Sequence, residues 1–176
     1  MTKIDINMAS KTFEKFYGVF DTKITGAKFE KKIAKTEKKS EYFNLELDVE
    51  IQKETIVQRK IFARLPYDNW DEKTIFSQLR KATELSEDQS MDTDSYLLKT
   101  FKSAIGPEKD YLGKWRTYMD KNKIERISYG IIKVLPMDAS TEDIAKAEEE
   151  IEKLIVESKA SLAEENRNAT PEDINF

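Results

Sequence analysis

Between Tyr42 and Leu65 the chain reads YFNLELDVEIQKETIVQRKIFARL, and no other stretch restricts the fold as much. Phe43, Leu45, Leu47, Val49 and Ile51 take alternate positions, separated by Asn44, Glu46, Asp48 and Glu50. An extended strand turns successive side chains to opposite faces, so this pattern builds a strand with one dry and one wet side. Gln52 to Thr55 are polar, and Ile56 to Leu65 is again rich in β-branched and aromatic residues, the mark of a returning strand. One-sided burial of this kind belongs to antiparallel sheets, not to βαβ units.

The rest of the chain is read around that hairpin. Residues 1–15 are mixed and polar and suggest no element. Phe16 to Phe29 reads as a first strand interrupted by Gly18 and Gly26, either of which can mark a bulge or bend. Lys28, Lys31, Lys32, Lys35, Lys38 and Lys39 follow within twelve residues. With few apolar neighbours, they suggest a mobile basic loop between strands one and two. Pro66 ends the third strand because it cannot donate to a ladder. Helical spacing of Trp70, Ile75, Leu79 and Ala82 suggests a helix capped at Asp68 or Asn69, and Leu85 to Asp94 reads as an exposed acidic loop. Leu97, Leu98, Phe101 and Ile105 suggest a second short helix, Ser95 to Ile105, stopped by Gly106-Pro107. Two more strands are expected, Leu112 to Met119 and Ile124 to Leu135, joined by a turn at 120–123.

From Ser140 an apolar stripe of Ile144, Ala147, Ile151, Leu154, Ile155 and Leu162 runs through a charged helix to about Glu165. Packing of that stripe on the body is favoured over a coiled-coil pairing, since Ser158 and Ser161 fall in the seam. The end, 166–176, lacks periodicity and is expected to be a disordered acidic tail. The chain thus divides into a segment 1–15, a body 16–136 with a helical insert at about 68–105, a helix 137–165 and a tail 166–176. The fold class is mainly β with helical insertions (α+β): a five-stranded barrel plus a C-terminal helix.

Composition narrows the function. The 176 residues contain neither cysteine nor histidine, which removes disulfides, thiolate and imidazole metal sites, cysteine nucleophiles and the Ser-His-Asp arrangement. The expectation is a non-enzyme with no metal and no cofactor. No secretory leader or membrane-length apolar run is visible, and the expected location is the cytoplasm, away from membranes. The net charge of −4 conceals a partition: residues 1–136 hold 26 Lys and Arg against 22 Asp and Glu, while 137–176 hold 4 against 12. A basic body suits a polyanion and an acidic end repels one.

Three strands, a helical connection and two strands is the order of an oligonucleotide/oligosaccharide-binding (OB) barrel, which binds nucleic acid across strands two and three and the adjoining loops. Single-strand binding needs cations along the phosphates and aromatic faces for the bases. Lys114, Trp115, Arg116 and Tyr118 interleave these on one expected strand, and Tyr42, Arg59, Phe62 and Arg64 do so on the hairpin. Trp115 reads either as core or as a stacking face. Arg59 and Arg64 differ in parity, so they share a face only across a bulge. The row Glu46, Asp48 and Glu50 would repel phosphate.

The chain ends Pro171-Glu172-Asp173-Ile174-Asn175-Phe176. This resembles the acidic, phenylalanine-terminated tip of bacterial and phage single-stranded DNA-binding proteins, with Asn175 where that family usually has proline. The resemblance implies an OB-fold protein of replication or recombination, phage-encoded on its overall layout, that binds single-stranded DNA and recruits partner proteins through Glu172, Asp173, Ile174 and Phe176. A homo-oligomer is compatible with it. Two alternatives stand beside this: a phage inhibitor or DNA mimic that binds protein through its acidic segments, and a metal-dependent nuclease using Asp21 with the Glu-x-Lys fragments Glu30-Lys31-Lys32 and Glu37-Lys38-Lys39.

Overall fold

A computed structural model describes residues 16–173, with side chains to Asn166. Its centre is a five-stranded antiparallel sheet, curled into a half-barrel, with strand order β3-β2-β1-β4-β7. The strands are β1 (Gly18–Ile33), β2 (Glu41–Gln52), β3 (Ile56–Leu65), β4 (Thr100–Pro107) and β7 (Tyr129–Leu135). A separate two-stranded sheet pairs β5 (Thr117–Met119) with β6 (Glu125–Ile127). The helices are α1 (Tyr67–Trp70), α2 (Ile75–Ala82) and α3 (Thr141–Asp173), and short 3-10 turns lie at Gln89–Met91 and Thr93–Ser95. The architecture is mainly β and compatible with an OB-like fold.

The alternating stretch forms the expected hairpin, in continuous register from Phe43↔Leu65 to Gln52↔Ile56. Leu45, Leu47, Val49 and Ile51 are at most 1% exposed, and Ile61, Ala63 and Leu65 face them from β3. Fully burying a leucine or isoleucine side chain contributes about 1.5–3 kcal/mol, so this dry row is a main reason the hairpin holds its register. The expected bulge is present: the β1–β2 register shifts between Ile24 and Gly26. A Cβ on Gly26 would lie 2.7 Å from an Asp48 carboxylate oxygen, so the close approach favours glycine there.

Three local expectations are corrected. β1 continues past Phe29 to Ile33, so Lys31 and Lys32 join Lys28 on a paired strand and the basic loop shrinks to 34–40. Strand pairing there is supported by backbone bonds to β2 rather than by apolar side chains, which is why hydropathy missed it. Second, Thr100–Pro107 is a strand, not the end of a helix. From Ser103 to Pro107 every residue is buried, and Phe101 is too. A central strand covered on both faces has no alternation, so a helical spacing in it arises by chance. Its polar groups are matched: Thr22 Oγ1 donates to Ser103 Oγ at 2.8 Å and Lys102 meets Asp21 at 2.7 Å. Third, Leu112 to Met119 supplies only a three-residue strand, and β5–β6 stands outside the five-stranded sheet.

Two smaller differences follow. Thr74, not Asp68 or Asn69, caps the longer helix α2, its Oγ1 accepting from the Ser77 N–H at 3.2 Å. The acidic loop is not wholly exposed, since Leu85, Ser90 and Tyr96 are buried and the Tyr96 hydroxyl donates to the Ser90 carbonyl. Burial raises the Tyr96 pKa well above its ordinary value.

The chain forms two compact units. One comprises Val19–Ser103 and Lys133–Thr141 and contains the hairpin, α1 and α2. Its core joins the dry face of β1–β3 to Phe76, Leu79, Tyr96 and Phe101, with Phe29, Phe76 and Tyr96 in ring contacts at 6.2 and 6.3 Å. The other comprises 16–18, Ala104–Ile132 and 142–173. Within it Ala147, Ile151, Ile155 and Ser158 of α3 are buried, and Gly106 lies against Ile132 and Ile151. The stripe therefore packs on the body, as favoured. The Ser158 hydroxyl donates back to Ile155 O at 2.9 Å, which satisfies it inside the seam. The helical backbone runs on to Asp173 rather than ending near Glu165. Apolar periodicity reports which face is buried, whereas a helix propagates by one backbone bond per residue and needs no stripe.

Candidate nucleic-acid interface

The wet face of β1–β3 can be read directly from the register. Opposite Tyr42, Asn44, Glu46, Asp48 and Glu50 of β2 stand Lys32, Glu30, Lys28, Gly26 and Lys23 of β1. On the other side Asn44, Glu46, Asp48 and Glu50 face Arg64, Phe62, Lys60 and Gln58 of β3. The face has two halves. Toward the 34–40 turn, Lys28, Lys32, Tyr42, Phe62 and Arg64 combine cations with rings around Glu30, and Lys28 and Phe62 flank Glu46 where this half meets the other. The Arg64 guanidinium lies 5.8 Å from the centre of the Tyr42 ring, and Phe62 is 69% exposed. A cation above an aromatic face is attracted by the ring quadrupole, so this pair is held ready without a ligand.

Toward the 53–55 loop lies the acidic row, and here lysines temper the expected repulsion. Lys60 reaches Glu46 at 2.5 Å and Asp48 at 3.7 Å. The hydrogen bond from Lys60 holds the Glu46 carboxyl below the usual carboxylate range, and the same bond raises Lys60. Both groups lie at the surface, where an ion pair contributes little stability. Its effect is local neutralisation: a phosphate approaching Phe62 meets a carboxylate already matched. Sequence reasoning did not pair Lys60 with this row. The hairpin register carries that information once the 53–55 loop is known.

The remaining candidates divide. Lys31 stands on the opposite face from Lys28 and Lys32 and pairs with Glu41 at 3.1 Å. Arg59 is half-buried opposite Val49, on the dry parity, and the β2–β3 register has no bulge that would return it to the groove. Arg59 therefore leaves the interface. Lys35, Lys38 and Lys39 are exposed on the 34–40 turn, where Ala34 N donates to Ser40 O and Lys39 N to Thr36 O, both near 3 Å.

Lys114, Trp115, Arg116 and Tyr118 lie in the other unit, around β5. Trp115 is half-buried under Lys109, whose Nζ is 4.5 Å from the ring centre, while Arg116 and Tyr118 are exposed. The turns beside it are closed by their own aspartates. Asp110 accepts from the Leu112 and Lys114 N–H groups, and Asp120 from Asn122 and Ile124. Accepting the Ile124 N–H is the main cause that lowers the Asp120 pKa. Exposed around these turns are Tyr111, Leu112, Met119 and Ile124, a mixture of aliphatic and aromatic groups.

For the nuclease alternative, Asp21 and Glu30 lie nine residues apart on β1, about 30 Å at ~3.3 Å per residue, too far to share one ion. Asp21 is paired with Lys102, and Glu30 with Lys32 at 3.9 Å. Among the described residues no group of three acidic side chains is arranged to hold a metal ion. None of the described helices is long and apolar enough to cross a membrane. Glu172 and Asp173 end the described backbone, and Ile174 and Phe176 of the expected tip lie outside the described residues.

These features define a half-barrel protein of OB-compatible fold with a cationic and aromatic end on its outer face. No protein-family model matches the chain, and neither a curated protein nor a solved structure matches it.

Proposed function

We propose that the protein binds single-stranded nucleic acid, single-stranded DNA in the first instance, without sequence preference and without catalysis. The observation that carries this is the convergence of Lys28, Lys32, Tyr42, Phe62 and Arg64 on one half of the wet face, beside the three lysines of the 34–40 turn. Cations neutralise phosphates and open ring faces stack on unpaired bases, and neither contact depends on base identity. The acidic row limits the path to the turn-proximal half, so the site is short. The sequence ending Glu172, Asp173, Ile174, Phe176 supports a second role, docking a replication or recombination protein. There an aromatic anchor and carboxylates would form a compact contact.

The test is an anisotropy titration of labelled oligo-dT at low salt. Saturable binding that weakens at least tenfold in the Phe62→Ala, Arg64→Ala double variant is expected. Failure of the unaltered protein to bind would overturn the reading and promote a protein-binding role for the acidic segments.

A further inference from the structure

Phe62 is not the last exposed ring along this part of the chain. Tyr67 and Trp70 of α1 are 50% and 69% exposed, and their rings meet edge to face with centres 6.2 Å apart. Tryptophan is highly buried on average, so a pair this open is a feature that folding alone does not favour. The exposure is not looseness. The Arg64 N–H donates to Asp68, Asn69 N donates to Pro66 O at 3.0 Å, and Thr74 Oγ1 donates to Asp68 O at 3.0 Å. Arg80 donates from Nη1 to Asn69 Oδ1 at 3.2 Å. Three of these bonds tie the four-residue helix to β3, to the Thr74 cap of α2 and to α2 itself, and the fourth closes its first turn on Pro66, so its rings are held in place before any ligand arrives. Contacts made by pre-positioned groups lose less entropy on binding.

Resting on the function proposed above, we propose that Tyr67 and Trp70 form a base-stacking platform and that the bound strand leaves the sheet over Phe62 to cross onto α1. The composition of the patch favours unpaired bases over a protein. On α1 and the half of β3 next to it the large apolar side chains left exposed are aromatic, Phe62, Tyr67 and Trp70, while Ile61, Ala63 and Leu65 are buried; the exposed Ile56 stands at the far end of β3, opposite Gln52. Arg64 and Lys73 are exposed on either side of this segment in the chain, as are Asp71 and Glu72, of which Glu72 meets Lys81 at 3.8 Å. A protein-docking patch of the ordinary kind includes aliphatic groups, as the Leu112, Met119 and Ile124 cluster of the other unit does. Continuity adds to this: the backbone of Arg64, whose side chain covers Tyr42, is the donor that binds α1 through Asp68.

The chain has two tryptophans, Trp70 and Trp115, so a Trp115→Phe background makes Trp70 the sole indole, and the affinity of that background is the reference. Titration with oligo-dT should quench Trp70 emission in step with the anisotropy of the labelled strand. Trp70→Ala should weaken binding by about 5- to 150-fold, the range for loss of one stacked base, and Trp70→Phe should restore most of it. Trp70 lies outside the core, and an unchanged urea midpoint checks that the variants fold. Saturable anisotropy with unchanged Trp70 emission and unchanged affinity in Trp70→Ala would overturn the platform and leave the proposed function standing. Absence of saturable binding by either readout would overturn both. A Trp70 emission change that depends on protein concentration without oligonucleotide, and is lost in Tyr67→Ser, would overturn the platform in favour of a contact between copies.

Discussion

Salt dependence offers the most quantitative check of the interface, because the structure fixes which cations can take part. Lys28, Lys32 and Arg64 share the wet face, and Lys35, Lys38 and Lys39 extend it on the turn. Lys60 is held by two carboxylates, Glu46 at 2.5 Å and Asp48 at 3.7 Å, and Lys31 and Arg59 face the other way, so these three are left out; Lys32, which among the described residues meets only Glu30, and at 3.9 Å, is kept. Six cations, each displacing counterions from a single strand, give a log-log slope of affinity against salt of about −4, at ~0.7 per phosphate neutralised. Between 50 and 200 mM salt, affinity for oligo-dT should then fall about 300-fold. Replacing Lys35, Lys38 and Lys39 together by alanine should reduce the slope to about −2, and adding Arg64→Ala should bring it near −1.4. The assay is anisotropy at four salt concentrations with a neutral labelled strand as control. A slope shallower than about −1, or one that ignores the turn lysines, would refute the placement of the phosphates on this face.

Glu46→Gln with Asp48→Asn frees Lys60 and removes two charges beside the path. At ~7 Å in water each pair is worth about 0.6 kcal/mol, so binding should tighten roughly threefold or more, and weaker binding would show that the strand avoids this region. Leu47→Ala, at a fully buried position, should cost about 3–5 kcal/mol in urea unfolding, and a loss under about 1 kcal/mol would contradict the packing of the dry face. Gly106→Val forces methyl groups toward Ile132 and Ile151, already 3.1 and 3.4 Å from a bare Cβ, and should destabilise by about 1–3 kcal/mol with loss of α3 protection in hydrogen exchange. The Asp120 carboxyl is held below its ordinary range, so its contribution to the β5–β6 turn is present above the unfolded value and lost as pH falls through the lower folded one. Its carbon-13 carboxyl shift should titrate below about 3.9, and a midpoint above that would contradict the turn geometry.

What was legible in the sequence follows from what each residue reports. Alternation from Phe43 to Ile51 reports one dry face directly, and Gly26 marks the bulge because a side chain there would meet Asp48. Phe101 to Ile105 was misread because a strand covered on both faces leaves no periodic trace. The end of β1 beyond Phe29 leaves no trace because ladder bonds belong to the backbone, and hydropathy does not register them. Trp70 falls at helical spacing with Ile75 and Leu79, but α1 stops after one turn with no buried residue and α2 begins anew at a Thr74 cap, so the face that buries Phe76 and Leu79 does not extend back to Trp70.

For the interface, side-chain type was readable and company was not. The sequence alone determined that Tyr42 lies on the wet parity of its strand and that Arg59 lies on the opposite parity from Phe62 and Arg64, since parity is a property of the strand itself, while the β2–β3 register decided which of the two parities is wet. The sequence also determined the acidic end and the want of histidine and cysteine. Tertiary structure decided that Lys28 and Lys32 join that face and that Lys114 to Tyr118 belong to another unit. Those facts depend on which strand lies beside which and in what register. Such pairings are set by contacts distant in the chain, and no local pattern of residues encodes them.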